Sequence, residues 1–317
     1  RLTGIKMLFP FYHTVSNTPL PHLACLYKVR TTAEFIRDID FFLKHYQPLT
    51  LHQLIALVHE NKQPGKPSFF LSFDDGLSEF HDIAAPILLK KGVHATCFLN
   101  SAFIDNKDLF YRYKACLLLK EIHARQDALL PEYRKWIAQK GAPALSPKKF
   151  LMNIGFADKY LLDELAVVMG YSFEDFLKKQ QPYLTSSQIA NLIAKGFTFG
   201  SHSINHPAFS DISLEEQIRQ ATESTIEIEK KFNLAYSTFS FPFTDYGINR
   251  NFFVNINKEV NFDLTFGCAG MKTDIIKNHI QRIPVEEYNI TAEARIKRDY
   301  FYYLIKKPLN KNTLVRE

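Results

Sequence analysis

Two stretches hold residues whose types and spacing can do chemistry. The first is Phe69-Phe70-Leu71-Ser72-Phe73-Asp74-Asp75-Gly76, an apolar run ending in two adjacent carboxylates. Bounded by Pro67 and Gly76, it reads as a buried strand. Two acids at the end of such a strand are costly unless paired, because a buried carboxylate loses its solvation or gives up its charge. A metal ion is one remedy. The second stretch is Gly200-Ser201-His202-Ser203-Ile204-Asn205-His206. On a helical turn, the i, i+4 spacing of His202 and His206 puts both imidazoles on one face, where they can hold one metal. The glutamate that follows the first histidine in HExxH proteases is absent, since Ser203 stands there. Any base must therefore come from elsewhere. Taken singly, neither stretch decides: Asp-Asp-Gly after a strand is ordinarily a solvated turn, and two histidines four apart are ordinarily coincidence.

The elements that must position these residues read as strand and helix in alternation. Ile5 to Tyr12 is an apolar-aromatic run, a first strand ending at Tyr12-His13. Capping-box signatures at Thr31–Glu34 and Thr50–Gln53 open two helices, and Pro64-Gly65-Lys66-Pro67 turns the chain into the acidic strand. Glu79 to Lys91 reads as a helix and Val93 to Leu99 as the next strand. This alternation marks a parallel sheet with crossover helices, hence an α/β fold. From about 106 to 193 the pattern is helical throughout, interrupted by Pro131, Pro143, Pro147, Gly155, Gly170 and Pro182. Strand patterns resume at 196–200, 236–241, 262–266 and 280–285. A third capping signature at Ser213–Glu216 opens a helix through Phe232, and 290–304 reads as a closing helix.

Composition narrows the class. The 317 residues are 46% hydrophobic, enough for one large α/β domain or one domain with an insertion. The 28 Phe and 15 Tyr suit a core first and a sugar-binding cleft second. The net charge of +6 is spread along the chain, with no basic stripe or nucleic-acid motif, so no nucleic-acid partner is expected. The four cysteines form no CxxC pair, which argues against a thiolate zinc site and a disulfide framework. Cys97, in an apolar run, is expected to be a buried inert thiol. No run of about 18 apolar residues exists, so no membrane span is expected. With no signal peptide in the chain as given, the expectation is a cytoplasmic protein, or an envelope protein if a segment before Arg1 was removed.

Phe-Asp-Asp-Gly, then Gly-Ser-His-Ser-x-x-His, then a strand ending in Phe241-Pro242-Phe243 together resemble the polysaccharide deacetylase (NodB-homology) group, carbohydrate esterase family 4. The resemblance covers 5–101 and 184–305. It implies a distorted (β/α) barrel of about seven strands, with active residues at the C-terminal strand ends. The whole of 1–317 would be one such domain, with 103–184 a helical insertion. The resemblance implies one divalent metal held by Asp75, His202 and His206. Two imidazoles and a carboxylate suit zinc, and also Co, Ni or Fe(II). Asp74 would be the general base toward the attacking water, and the backbone N–H of Phe243 an oxyanion donor. Ser203 is expected to hold the histidine loop rather than react.

Two departures from the family pattern matter. Many members carry an arginine before the Pro-aromatic motif that orients the base, and Ser237 to Phe241 contains none. Arg282, before Ile283-Pro284-Val285, is the candidate substitute, with a surface ion pair as its other reading. The late Leu-x-His that supplies the general acid is also missing; the late histidine here is His279, in a polar context. A subset of the family carries an N-terminal Tyr-His instead, and Tyr12-His13 matches it, making His13 the candidate acid. The expected function is removal of N-acetyl groups from hexosamines of a polysaccharide or glycolipid precursor. The alternatives are a metal- and sugar-binding homologue without turnover, and a glycosyltransferase using Asp74-Asp75 for a metal–diphosphate, which gives His202 and His206 no role.

Overall fold

The computed structural model describes residues 4–142, 145–287, 290–309 and 311–316, so Arg1 lies outside them. Its centre is an eight-stranded, all-parallel sheet. The strands are β1 (Pro10–Tyr12), β2 (Leu71–Phe73), β3 (Ala95–Leu99), β4 (Thr198–Ser201), β5 (Thr238–Ser240), β6 (Leu264–Gly267), β7 (His279–Gln281) and β8 (Ile283–Pro284). Neighbours run in the order β7-β6-β5-β4-β3-β2-β1-β8. The first and last members of that order are consecutive in the chain, separated only by Arg282. One extended stretch, 279–284, therefore pairs with β6 through its first half and with β1 through its second. The ring closes through it, as seven passes of the chain in eight segments, matching the expected barrel.

Strand residues alternate between two environments. Leu71 and Phe73 join the apolar layer under the surrounding helices, with Phe35, Ile39, Phe80 and Leu88. Phe70, Phe98 and Phe266 form a second cluster, and Ser72 is fully buried beside it. Gly200 is small for a stated reason: a Cβ there would lie 2.4 Å from Thr238 Oγ1 and 2.8 Å from the Phe98 ring.

The helix signatures translate with adjustments. Thr31 and Thr50 make both bonds of a capping box, whereas Ser213 supplies only its half. Glu216 instead takes bonds from Arg219 and Gln220. The expected 79–91 helix opens with a π-helical turn at Phe80–Ala84 before α-helix Ala85–Lys90. Between β3 and β4 lie the helices Tyr111–Ala124, Gln126–Gln139, Pro147–Leu151, Tyr160–Met169, Phe173–Gln180 and Ser186–Ala194. Most of them share an apolar cluster of their own, to which Leu23 and Leu77 also belong. The closing helix is Ala292–Lys306.

Candidate metal centre and active site

The C-terminal ends of the strands carry the chemistry. Asp74 and Asp75 follow β2, His202 follows β4, His13 follows β1 and Glu286 follows β8. Asp75 turns back through a left-handed backbone (φ 72°), followed by Gly76 (φ 67°). Ser203, His206 and Phe243 also have positive φ, so four of the nine described non-glycine residues in that region belong to this site. Strain of this kind persists only where surrounding contacts enforce it.

The expected helical presentation of His202 and His206 is corrected: residues 202–207 form a loop. The two left-handed residues bring the rings together instead, with centroids 4.8 Å apart. Ser203 holds that loop, its hydroxyl accepting from the His206 N–H at 3.0 Å. Asn100 donates to the His202 carbonyl at 2.5 Å.

Ligand atoms of Asp75, His202 and His206 lie within 4.8 Å of one another, and all three residues are buried. Asp75 Oδ1 sits 3.2 Å from His206 Nε2 and 3.5 Å from His202 Nε2, yet has no hydrogen bond. Its other oxygen accepts from the Tyr113 hydroxyl at 2.7 Å. His202 Nδ1 faces the Ser240 carbonyl at 2.8 Å, so this nitrogen carries the proton and Nε2 presents a lone pair. Burial pushes the His202 pKa down to about 4 against the pull of Asp74, which keeps the ring neutral. Burial opposes ionisation of Asp75, but the His206, His13 and His202 imidazoles outweigh it and hold the carboxyl below the usual range. An orphaned carboxylate oxygen between two aligned imidazole nitrogens is a donor set that fits a divalent cation.

Asp74 is gripped from the other side. Arg282 donates from Nη1 to Asp74 Oδ1 at 2.8 Å and from Nη2 to Oδ2 at 2.7 Å, a two-point fork. The same guanidinium donates to Ser72 Oγ (3.0 Å), Ser240 Oγ (2.5 Å) and the Gly267 carbonyl (3.3 Å). It also lies 4.3 Å from the Phe11 ring centroid. Arg282 is 1% exposed, so the surface-pair reading is excluded. Burial raises the Asp74 pKa, but the Arg282 charge, then His202, more than offset this and keep it below the usual carboxylate range.

His13 Nδ1 meets Glu286 Oε2 at 2.5 Å, and Glu286 also accepts from the backbone N–H of His13 (2.9 Å) and Thr14 (3.2 Å). The ring stacks on Tyr27 at 4.3 Å. Burial alone would lower the His13 pKa; the charge and hydrogen bond of Glu286 lift it to about 9, with Asp75 and Asp74 adding. Phe243 packs its ring 4.7 Å from that of His206, and its N–H makes no hydrogen bond among the described residues. His279 is elsewhere: it is buried, bonded to Asp245 and Thr265. Asp245, Asp274 and His279 cluster closely enough to suggest a second metal, but Arg316 Nη2 pairs with both carboxylates. Cys97 is a buried thiol with its pKa raised by burial.

Sequence reasoning missed Glu286 and Tyr113. Glu286 had a signal, an acid directly after the apolar strand Ile283-Pro284-Val285, the same pattern as Phe73-Asp74. Tyr113 had none, being one aromatic among many in a helical stretch. That helix also sets Phe110 against His206, with ring centroids 4.3 Å apart.

No curated protein matches the sequence. Similar solved structures include the Streptococcus pyogenes deacetylase PplD in complex with acetate, at 15% identity and TM-score 0.59, covering 92% of this chain and 97% of that one. IcaB from Ammonifex degensii matches at 12% identity and TM-score 0.56, covering 95% and 98%. A de-N-acetylase from Aggregatibacter actinomycetemcomitans matches at 12% identity and TM-score 0.57, covering 92% and 99%. At such identities the likeness establishes a shared barrel fold. The sequence profile described as polysaccharide deacetylase matches residues 61–263, more than half of the chain and inclusive of both motifs. The glycosyltransferase reading falls with that match, and the chain belongs to the polysaccharide deacetylase family.

Proposed function

We propose that this protein is a metal-dependent hydrolase that removes N-acetyl groups from hexosamine units of a polysaccharide or a glycolipid precursor. One divalent ion, zinc first among the candidates, would be held by Asp75, His202 and His206. The observation that carries the reading is the convergence of three held groups at one end of the barrel. They are a carboxylate forked by an arginine, an orphaned carboxylate oxygen between two imidazoles, and an imidazole held by a glutamate. One of the similar structures was solved with acetate, the product such a reaction releases.

A cation in this site would supply Lewis acidity, polarising the acetyl carbonyl and lowering the pKa of water. Asp74, kept ionised and oriented by Arg282, takes the proton of the attacking water. The water oxygen bonds to the carbonyl carbon, and charge developing on the carbonyl oxygen is met by the Phe243 N–H. The C–N bond then breaks. The amine leaves with a proton from His13 Nε2, since Glu286 secures Nδ1, and the products are acetate and a free amine. A pKa near 9 keeps this imidazole charged at neutral pH, as an acid must be. A sugar-binding homologue without turnover would have no use for both a held base and a held acid.

The test is amine release from N-acetylglucosamine oligomers alongside metal analysis, comparing the parent with Asp74→Asn. The expected result is turnover in the parent, and bound metal without turnover in the variant. Unchanged turnover in Asp74→Asn would remove the base assignment. No amine release by the metal-loaded parent from any N-acetylated glycan would favour the binding homologue.

A further inference from the structure

The closing helix Ala292–Lys306 buries Ala292 and Ile296 near its start, yet its far end is apolar and exposed. Phe301 (67%), Tyr302 (54%), Ile305 (52%) and Leu309 (61%) stand in solvent within nine residues, with Leu304 at their edge. Phe301 and Ile305 are one helical turn apart and share a face. Isolated apolar side chains on a surface need no explanation, but a contiguous group marks an interaction site.

Its place in the fold is definite. The helix begins just after the Glu286 end of β8, at the catalytic end, and runs the other way over 15 residues, about 22 Å at 1.5 Å per residue. Its far end meets the segments that enter the strands. Tyr303 lines one groove with Lys6, Lys62, Lys272 and Lys277. Lys306 sits 4.0 Å over the Tyr302 ring. Lys62 is paired with Glu60, but Lys6, Lys272, Lys277, Lys306 and Lys311 form no ion pair with a described carboxylate. The patch is thus an exposed apolar face bordered, on the side of Tyr302 and Tyr303, by lysines without described carboxylate partners. No described helix is long and apolar enough to cross a membrane.

We propose that this end of the barrel docks on the surface of a bilayer containing anionic lipid. Phe301, Ile305 and Leu309 would enter the boundary between headgroups and acyl chains, Tyr302 would sit at headgroup level, and the lysines beside Tyr302 and Tyr303 would meet the lipid charge. A protein partner would match the apolar face alone; the unpaired lysines along its Tyr302 and Tyr303 border are what favour the lipid surface. Docked this way, Asp74 faces away from the bilayer by about the length of the helix. On the deacetylase reading, the substrate is then sugar units held off the membrane rather than the unit next to a lipid anchor.

The experiment is co-sedimentation of the whole protein with vesicles of phosphatidylcholine, alone or mixed with phosphatidylglycerol. The expected result is binding to the mixed vesicles only, weakened by salt. The triple variant F301S/I305S/L309S should lose at least tenfold in binding. K272E/K306E should lose about fivefold or more per charge, the scale of one lysine near an anionic surface. Metal content and thermal melting should stay at parent values in both, since all these positions except Lys272 lie on the helix surface or just past it and none supports the site. Parent protein that stays in the supernatant with the mixed vesicles would overturn the proposal. So would a triple variant that binds as the parent does. A parent dimer that the triple variant abolishes, without vesicle binding, would also overturn it and make this face a contact between copies. These outcomes do not depend on deacetylase activity, so a failure here leaves the functional reading standing.

Discussion

Replacing Arg282 with methionine tests the grip on Asp74 most directly. The chain length is nearly kept, but five donated hydrogen bonds go, two of them to Asp74, which is 3% exposed. Removing one partner of a buried ion pair costs about 3–5 kcal/mol, because the other charge is left without solvent or counter-ion. For a chain of this size each kcal/mol is worth roughly 2–4 °C, so the melting temperature should fall by ~6–20 °C. Asp74→Asn/Arg282→Met removes both charges and should recover at least ~1.5 kcal/mol of that loss, a coupling between contacting residues that urea melts can resolve. The pH dependence has a definite sign. In the parent, the Asp74 pKa is depressed, so its contribution is present above the unfolded carboxylate pKa and is lost as pH falls through the folded value. In the variant, burial is unopposed by Arg282 and raises that pKa, so acidification relieves the penalty. The stability gap between Arg282→Met and parent should therefore narrow from pH 8 to about pH 5. A gap under ~1 kcal/mol, or a double variant no more stable than simple addition, would refute the claim that this pair is energetically coupled.

Three further outcomes are expected. Tyr113→Phe deletes only the hydroxyl on Asp75 Oδ2 and should weaken metal binding about 10–100-fold by chelator competition while the melting curve stays cooperative; unchanged affinity would make the contact incidental. His13→Ala should keep metal and lose ~10²–10⁴-fold on acetamides while sparing an activated ester; equal loss on both would rule out an acid role. Glu286→Gln removes the charge that raises His13, so the alkaline limb of the amide pH profile should move down from about 9 toward or below the ordinary imidazole value. For the same reason, the stability the pair confers on the parent is complete below the unfolded imidazole pKa and fades as pH climbs through about 9; a limb that stays put would dissociate it from His13.

What the sequence made legible were features carried by short windows. Apolar runs bounded by turn residues marked the barrel strands, and Asp74-Asp75 and the two histidines announced themselves within eight residues each. The conformation of the histidine loop was not legible, because left-handed Ser203 and His206 leave no period to read. Arg282 was legible only through the family pattern, as the substitute for its base-orienting arginine, and the contact of Glu286 with His13 was not legible at all. Arg282 and Asp74 are 208 positions apart, and Glu286 and His13 are 273 apart, so only the closed barrel puts them in reach. Tyr113 shows the same limit: its hydroxyl finds Asp75 from a separate helical cluster, with nothing local to distinguish it from its aromatic neighbours.

The stretch 279–284, which joins β6 to β1, has a consequence for how the protein is made. During synthesis the earlier strands emerge first, and until this stretch leaves the ribosome the nascent barrel is an open sheet with two raw edges. Asp74 is synthesised 208 positions before its counter-ion Arg282, and His13 273 positions before Glu286. The stretch 279–284 and the two residues after it supply the hydrogen bonds that seal both edges, the guanidinium that pairs with Asp74 and the carboxylate that pairs with His13. Closure of the ring and the pairing of Asp74 and His13 with their counter-charges thus both await the arrival of 279–286. Fragments ending before residue 282 should engage holdase chaperones, and no partly folded form should carry a working site.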